Sequence, residues 1–409
     1  MLGAAVSSPS KTYLANNLNT ITVRDLDDLI PHVPQWDQLA WRAPQKIANL
    51  LPAWINAFLR HKVAPNERWF CSFAYVGDRL VGVLPIIVTP HPLLGSFWPI
   101  LRTPCDGHTP SGDVLLDRDH AAAAFKALLI EVGSQVPNHL GLDLKAVRSN
   151  SSVWKALEDG VDGYLMRRGL RSTWSFLKVD GDFNTYQAGL GKIRENIRRG
   201  RRKLEKRGVV SVEMTKGTDV REDFLAEFVA LEASGWKGRN GTAMLNDTNV
   251  VAFYTTLVKN FAAQGYWEWH AIRVDGQLVI AGMGARCGAG LMLPKYAFNE
   301  DFADCMPGSL LIGEIVKEAF SRAELDEINP MSKSPPDRFW RMSEDEYTDV
   351  HLVRQGFVPM LLQLSRVMVR SAYQDHIRPR IPSAVRNAYR NFKRRGGRKP
   401  GRAASTSRG

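Results

Sequence analysis

Cysteine is scarce in this chain. The 409 residues hold four, Cys71, Cys105, Cys287 and Cys305, with no Cys-x-x-Cys pair and no His–Cys cluster. That excludes a thiolate zinc site and a disulfide scaffold, and it fits a reducing compartment. No metal is expected. Residues Met1 to Lys11 lack a basic stretch followed by an apolar run, so no secretory signal is expected and a cytoplasmic location follows. A long uninterrupted apolar run is missing too. The most apolar region, Leu80 to Leu101, is broken by Pro85, Pro90, Pro92, Gly95 and Pro99, which argues against a spanning helix. There is no Gly-x-Ser-x-Gly turn and no Cys/His pair placed for nucleophilic catalysis. Cys305, just before a helix start, offers a covalent route only if it is more than a small buried residue.

Most of the chain also lacks a charge excess. Residues 366–409 hold 13 Lys+Arg and one acid, Asp375, whereas the other 365 residues carry 41 bases and 41 acids. The pI of 9.6 therefore belongs to a tail. At 44% apolar residues with 11 Trp, the rest has the composition of a globular protein long enough for two domains.

Residues 20–25 read as a strand and 44–60 as a helix. Trp69–Tyr75 and Leu80–Val88 pair across Val76-Gly77-Asp78-Arg79. A short strand follows Ser111-Gly112-Asp113, then a helix from Asp117 to Gly133 and a strand at Leu140–Val147. The second part repeats this plan. Val209–Met214 is a strand, 218–232 and 249–265 are helices, and Trp267–Val274 and Leu278–Arg286 form a hairpin around Asp275-Gly276. Leu291–Phe298 is a strand, a helix runs from Pro307 to about Arg322, and Glu324–Ile328 is a last strand. The class is mixed α/β, and the repeated order points to an internal duplication. Between the halves, residues 193–208 contain eight bases and two acids. Ile193, Ile197 and Leu204 give this helix one thin apolar edge, and Gly208 stops it. It reads as a face for anions or nucleic acid, or as a solvated linker helix.

The segment Lys295-Tyr296-Ala297-Phe298-Asn299-Glu300, followed by Met306-Pro307-Gly308-Ser309-Leu310-Leu311, has the form of a strand, a loop and a helix start. The free N–H groups of a first helical turn attract anions, and Gly lets a phosphate approach closely. Pro307, Gly308, Ser309 and Leu310 are thus a candidate pyrophosphate cradle, although Pro-Gly-Ser also makes an ordinary helix start.

Together with Leu231-Glu232-Ala233-Ser234-Gly235-Trp236-Lys237-Gly238-Arg239-Asn240-Gly241-Thr242-Ala243 and the basic helix, this pattern resembles the cellulose-biosynthesis CelD-type family over residues 20–345. That family lies within the GNAT acyltransferase superfamily and is related to the Fem-type aminoacyltransferases. The resemblance implies tandem GNAT-like domains, each a central mixed sheet flanked by helices: a flexible 1–18, a first domain at 19–185, a linking helix at 186–208, a second domain at 209–365 and a basic, partly disordered tail at 366–409. It also implies acetyl-CoA or another acyl-CoA as donor, held at 307–310, and an amine or hydroxyl acceptor, sugar- or polysaccharide-related. The chain departs from the superfamily's usual cradle: Asp304-Cys305-Met306-Pro307-Gly308-Ser309 has a single Gly. After 324–328, Asn329 to Pro336 lacks a Gly-rich turn.

For direct acyl transfer the site must hold two substrates together, polarise the thioester and protonate the thiolate. Tyr296 is expected to protonate the thiolate, Glu300 to reach the donor cleft and Asp326 to lie where the acceptor enters. Trp236, Lys237 and Arg239 read as a Gly-flanked mobile loop that binds an anionic or sugar acceptor, with Lys295 on the donor-side strand. Glu268 and His270 share one strand face and form a candidate acceptor-binding pair. Each has a plain alternative as a surface or packing residue. In the tail, residues 384–395 read as a basic amphipathic helix for anionic lipid at the inner membrane. The competing functions are a Fem-like enzyme using aminoacyl-tRNA, which the basic segments favour, and a non-catalytic assembly module.

Overall fold

The computed structural model describes residues 18–158, 160–332 and 340–373, with Arg380. The first half runs β1 (Leu18–Val23), α1 (Val33–Arg42), α2 (Pro52–His61), β2 (Arg68–Val76), β3 (Arg79–His91), β4 (Gly95–Arg102), β5 (Leu115–Leu116), α3 (Ala121–Gln135), β6 (Gly141–Arg148), α4 (Ser152–Glu158) and β7 (Tyr164–Lys178). Helices α5 (Phe183–Ala188) and α6 (Lys192–Glu205) lead into the second half. That half runs β8 (Val210–Lys216), α7 (Phe224–Ser234), α8 (Trp236–Arg239), α9 (Thr248–Ala263), β9 (Trp267–Val274), β10 (Gln277–Cys287), β11 (Gly290–Met292), β12 (Tyr296–Phe298), α10 (Pro307–Ala319), β13 (Glu327–Asn329) and β14 (Ser343–Arg354). A last helical run comprises α11 (Phe357–Pro359), a π-helical turn (Met360–Leu364) and α12 (Ser365–Ala372). Among the described residues no helix is long and apolar enough to cross a membrane.

The strands form one mixed sheet in the order β1-β2-β3-β4-β6-β14-β7-β13-β11-β10-β9-β8. The order reads as the same unit twice. In each half three antiparallel pairings end in a parallel pair, β4 with β6 and β11 with β13. Each half then receives a strand from the other stretch of chain. β14 pairs with β6, β7 pairs with β13, and β7 and β14 pair with each other along the centre. The duplicated α/β unit expected from sequence is therefore present, with its closing strands exchanged. The halves also share a core: Trp54 on α2 meets Phe253 and Phe261 of α9 edge-on at 6.2 and 5.9 Å.

Several boundaries differ from the sequence expectation. The helix expected at 44–60 begins at Pro52, which occupies its first turn, where a missing N–H costs nothing. Residues 43–51 instead form turns held by buried side-chain amides: Gln45 donates to the Val114 carbonyl and Asn49 to that of Ser111. The strand expected at 291–298 is split into β11 and β12, because Pro294 has no N–H for the ladder. The helix expected from 218 starts at Phe224. The expected Asp275-Gly276 hairpin is present, with Gln277 opposite Val274 and both turn residues at positive φ. Residues 1–17, the 333–336 turn and the proposed helix at 384–395 lie outside the described residues.

Helix α6 docks by the expected edge: Ile193, Gly200 and Leu204 are buried and the cations face outward. Gly200 is required there, because a Cβ would stand 2.5 Å from the Cys305 carbonyl oxygen. The basic helix is thereby fixed against the turn that leads into α10. Lys203 and Arg207 also bind Asp304, at 3.4 and 2.6 Å.

Candidate active site

Two adjoining cavities meet at the break between β11 and β12. The first, about 360 Å3, is mainly apolar and runs from Gly282, Met283 and Leu293 to Pro307, Gly308 and Ser309. At its mouth α10 begins after Met306, a left-handed residue with φ 57°, and no side chain caps its first turn. Open space lies above Gly308, since a Cβ there would meet nothing within 4 Å. The second cavity, about 460 Å3, is lined by His108, Glu232, Trp236, Lys237, Tyr254 and Glu300, among others. Leu293, Lys295, Tyr296, Phe298 and Ile312 line both. His108 belongs to the first half, so the second cavity is walled by both halves.

The corresponding region of the first half is closed. Between Ile55, Val83 and Gly112 only about 10 Å3 remains. Its counterpart of α10, helix α3, starts beside Asp117, whose carboxylate binds His120, Arg42 and Arg79.

At the centre of the second cavity lies Glu232, buried near the end of α7. It accepts hydrogen bonds from Lys237 Nζ at 2.7 Å, from Lys295 Nζ at 3.5 Å and from the Met244 N–H at 2.8 Å. Burial pushes its carboxyl up, but the two cations and the amide outweigh this and leave it below its ordinary value. Burial lowers the Lys295 ammonium, and Glu232 opposes that shift. Lys295 also stands 5.7 Å from the Tyr254 ring centre. The Tyr254 hydroxyl is 3.3 Å from His108 Nδ1. Burial first, then Lys295, lowers His108 to about 4, so it is neutral at pH 7. Two ammonium groups thus share the Glu232 carboxylate and stand ready to donate to a negatively polarised oxygen.

The residues expected from sequence are distributed as follows. Pro307, Gly308, Ser309 and the donor-side Tyr296 border the first cavity; Leu310 faces α6 instead. Tyr296 is half exposed at the junction. Trp236, Lys237 and Arg239 are not a mobile loop but one turn of helix, α8. This turn closes onto α7 only because residue 238 is Gly: a Cβ would lie 1.8 Å from the Ala233 carbonyl oxygen. Glu300 anchors that turn, accepting from the Trp236 N–H at 2.7 Å and from Arg239 at 2.5 Å. Its hydrogen bond with Arg239, reinforced by the Trp236 N–H, holds it below the ordinary range.

Asp326 pairs with Lys46 and does not border either cavity. Glu268 and His270 share a strand face as expected, but β9 is an interior strand and both are fully buried. Glu268 binds Arg322 through both oxygens, at 2.7 and 2.9 Å, and His270 at 3.2 Å. With Glu318 this group has the spacing of a metal site. Arg322 already neutralises Glu268 and lies 3.8 Å from Glu318, whereas His270 Nδ1 is buried without a hydrogen-bond partner. Neither Glu268 nor His270 lines either cavity.

Three cavity residues were missed in the sequence. Glu232 follows Phe228 by four positions, which places an acid on the apolar face of α7; that conflict was a legible signal. Tyr254 shares the buried face of α9 with Val250 and Val258. Nothing local marks His108, which reaches the site only through tertiary packing.

Residues 191–331 match the family described as Acetyltransferase (GNAT) domain. Among solved structures, the chain is similar to FemX with a TM-score of 0.59 and 12% identity, over 85% of this chain and 99% of that one. A conserved protein of unknown function from Bacteroides thetaiotaomicron gives a TM-score of 0.47 and 14% identity, over 81% and 98%. The C-terminal domain of a putative lysylphosphatidylglycerol synthetase from Agrobacterium fabrum gives 0.48 and 9%, over 84% and 98%. No curated protein matches the chain. At 12% identity the likeness to FemX establishes the fold alone. The class is thus a mixed α/β protein carrying a GNAT acyltransferase fold.

Proposed function

We propose that the protein is an acyl-CoA-dependent acyltransferase in which the acceptor attacks the thioester directly. The observation that carries this reading is the meeting of the two cavities at Lys295 and Tyr296. One leads to an uncapped helix start with open space above Gly308, and the other holds the ionisable cluster. Acetyl-CoA, or another acyl-CoA, is the donor. Its pyrophosphate lies against the N–H groups at Gly308 and Ser309, and its acyl arm runs along the apolar cavity. The acceptor, an amine or hydroxyl, binds over Lys237, Lys295 and Trp236. Its nitrogen or oxygen bonds to the carbonyl carbon, the carbon–sulfur bond breaks, and the thiolate takes the Tyr296 proton. The acceptor's proton passes to solvent, and His108, held neutral, lines the acceptor side of the cavity. Glu232 positions the two lysines, and Glu300 positions α8. Neither Asp326 nor Glu268 and His270 enter this scheme.

The motif resemblance favours a sugar or exopolysaccharide-related acceptor and a cytoplasmic enzyme in contact with the membrane. The test is thiol release from acetyl-CoA across a panel of amino sugars and hydroxyl acceptors. Acceptor-dependent release that falls in Tyr296→Phe supports the scheme, and no release with any acceptor counts against it.

A second reading, a Fem-type transferase using aminoacyl-tRNA, draws on α6. Its Arg194, Arg198 and Arg202 face outward beside Lys317 along a groove of about 520 Å3. It requires salt-sensitive tRNA binding and no acetyl-CoA affinity.

A further inference from the structure

Large apolar side chains are exposed together at one end of the sheet. At the β3–β4 tip Leu93 is 85% exposed and Phe97 72%. On the last helical run Phe357 is 83% and Val369 70% exposed, with Leu361, Met368 and Tyr373 also open to solvent. Phe357, Leu361 and Met368 follow one another along that run, Leu361 within its π-helical turn.

The structure ties these two elements into one surface. The Asn138 side chain donates to the Phe97 carbonyl, and the Arg354 guanidinium donates to that of the neighbouring Pro137. Gln363 on the helical run donates to Asp143 of β6 at 3.3 Å. Burial first, then the charge of Arg366, lowers the imidazole of His91 at the base of the tip. The tip itself is pinned, because His91 Nδ1 accepts from the N–H groups of Leu93 and Leu94 at 3.2 and 3.3 Å. Apolar side chains held outward on a fixed turn cost no further ordering when they bury elsewhere. The run leads directly into residues 374–409, which hold eleven Lys+Arg and a single acid.

We propose that the β3–β4 tip and the helical run 357–373 form one face that seats on a bilayer containing anionic lipid. The apolar side chains enter the headgroup boundary and the basic segment supplies the attraction. Charge complementarity selects this occupant: a second copy of the chain would bring the same thirteen cations of 366–409 against each other. The inference concerns a different surface from the two cavities and stands independently of the acyltransferase reading.

The test is flotation of the full chain with vesicles of phosphatidylcholine, alone and mixed with phosphatidylglycerol. The protein is expected to float only with the mixed vesicles and to be released by salt. Two double variants, Leu93→Ser with Phe97→Ser and Phe357→Ser with Leu361→Ser, are each expected to lower partitioning about tenfold, with unchanged melting because all four residues are exposed. Undiminished binding in both variants would overturn the proposal, since the basic segment alone would then suffice. No binding to mixed vesicles would overturn it as well, including the case in which sedimentation shows self-association that the same variants abolish.

Discussion

Lys237 Nζ and Glu232 Oε1 are 2.7 Å apart at the end of α7, with the carboxylate buried and a second cation, Lys295, 3.5 Å from the same oxygen. This arrangement joins α7, α8 and the β11–β12 break. Replacing Glu232 by Gln leaves two ammonium groups facing each other in a buried cavity. Breaking a buried pair this way costs about 3–5 kcal/mol. Urea unfolding should show that loss, with the slope unchanged.

Gly238→Ala is expected to reach the site without touching a charge. The new Cβ would meet the Ala233 carbonyl at 1.8 Å, so α8 must move and carry Trp236 and Lys237 with it. Acceptor KM should rise at least tenfold while donor affinity is kept, which steady-state kinetics against each substrate would separate.

Tyr296→Phe changes no buried contact, because the side chain is half exposed. Thermal melting should be unchanged, and kcat should fall about 10²-fold with little change in donor affinity. An unaltered kcat would remove Tyr296 from the proton transfer.

The Glu268–Arg322 pair predicts an acid-sensitive stability unrelated to catalysis. Burial pushes the Glu268 carboxyl up, but hydrogen bonds from His270 and Arg322 outweigh it and set it at about 2. The folded value lies below the unfolded value of about 4.3, so the stabilisation is full above that pH and is lost as pH falls towards 2. The shift corresponds to about 3 kcal/mol. Urea titrations across this window should show the decline in the parent protein, and a flatter profile from a lower starting stability in Glu268→Gln.

The parts legible from sequence are those that local physics controls. Asp275-Gly276 dictated its hairpin, the apolar edge of residues 193–204 predicted how α6 docks, and Pro307-Gly308-Ser309 marked an uncapped helix start. The repeated order of elements disclosed the duplication. The exchange of β7 and β14 was not legible, because which strand fills a central slot depends on partners far away in the chain. The same reason hid His108, which comes to the cavity from the other half. Glu268 and His270 were misread because strict alternation marks a common face but not whether that face is covered. Trp236, Lys237 and Arg239 suggested a loop because glycine usually breaks a helix, whereas here Gly238 is what allows the turn to pack on α7.

The most direct test of the donor site is calorimetric titration of the protein with acetyl-CoA, repeated on Gly308→Trp. Helix α10 retains its buried face in this variant, because the space above Gly308 is open. The account predicts micromolar binding to the parent protein and loss of that binding in the variant at unchanged melting temperature. Equal affinity in both would contradict the placement of the donor at 307–310, and no binding to either would contradict acetyl-CoA as the donor.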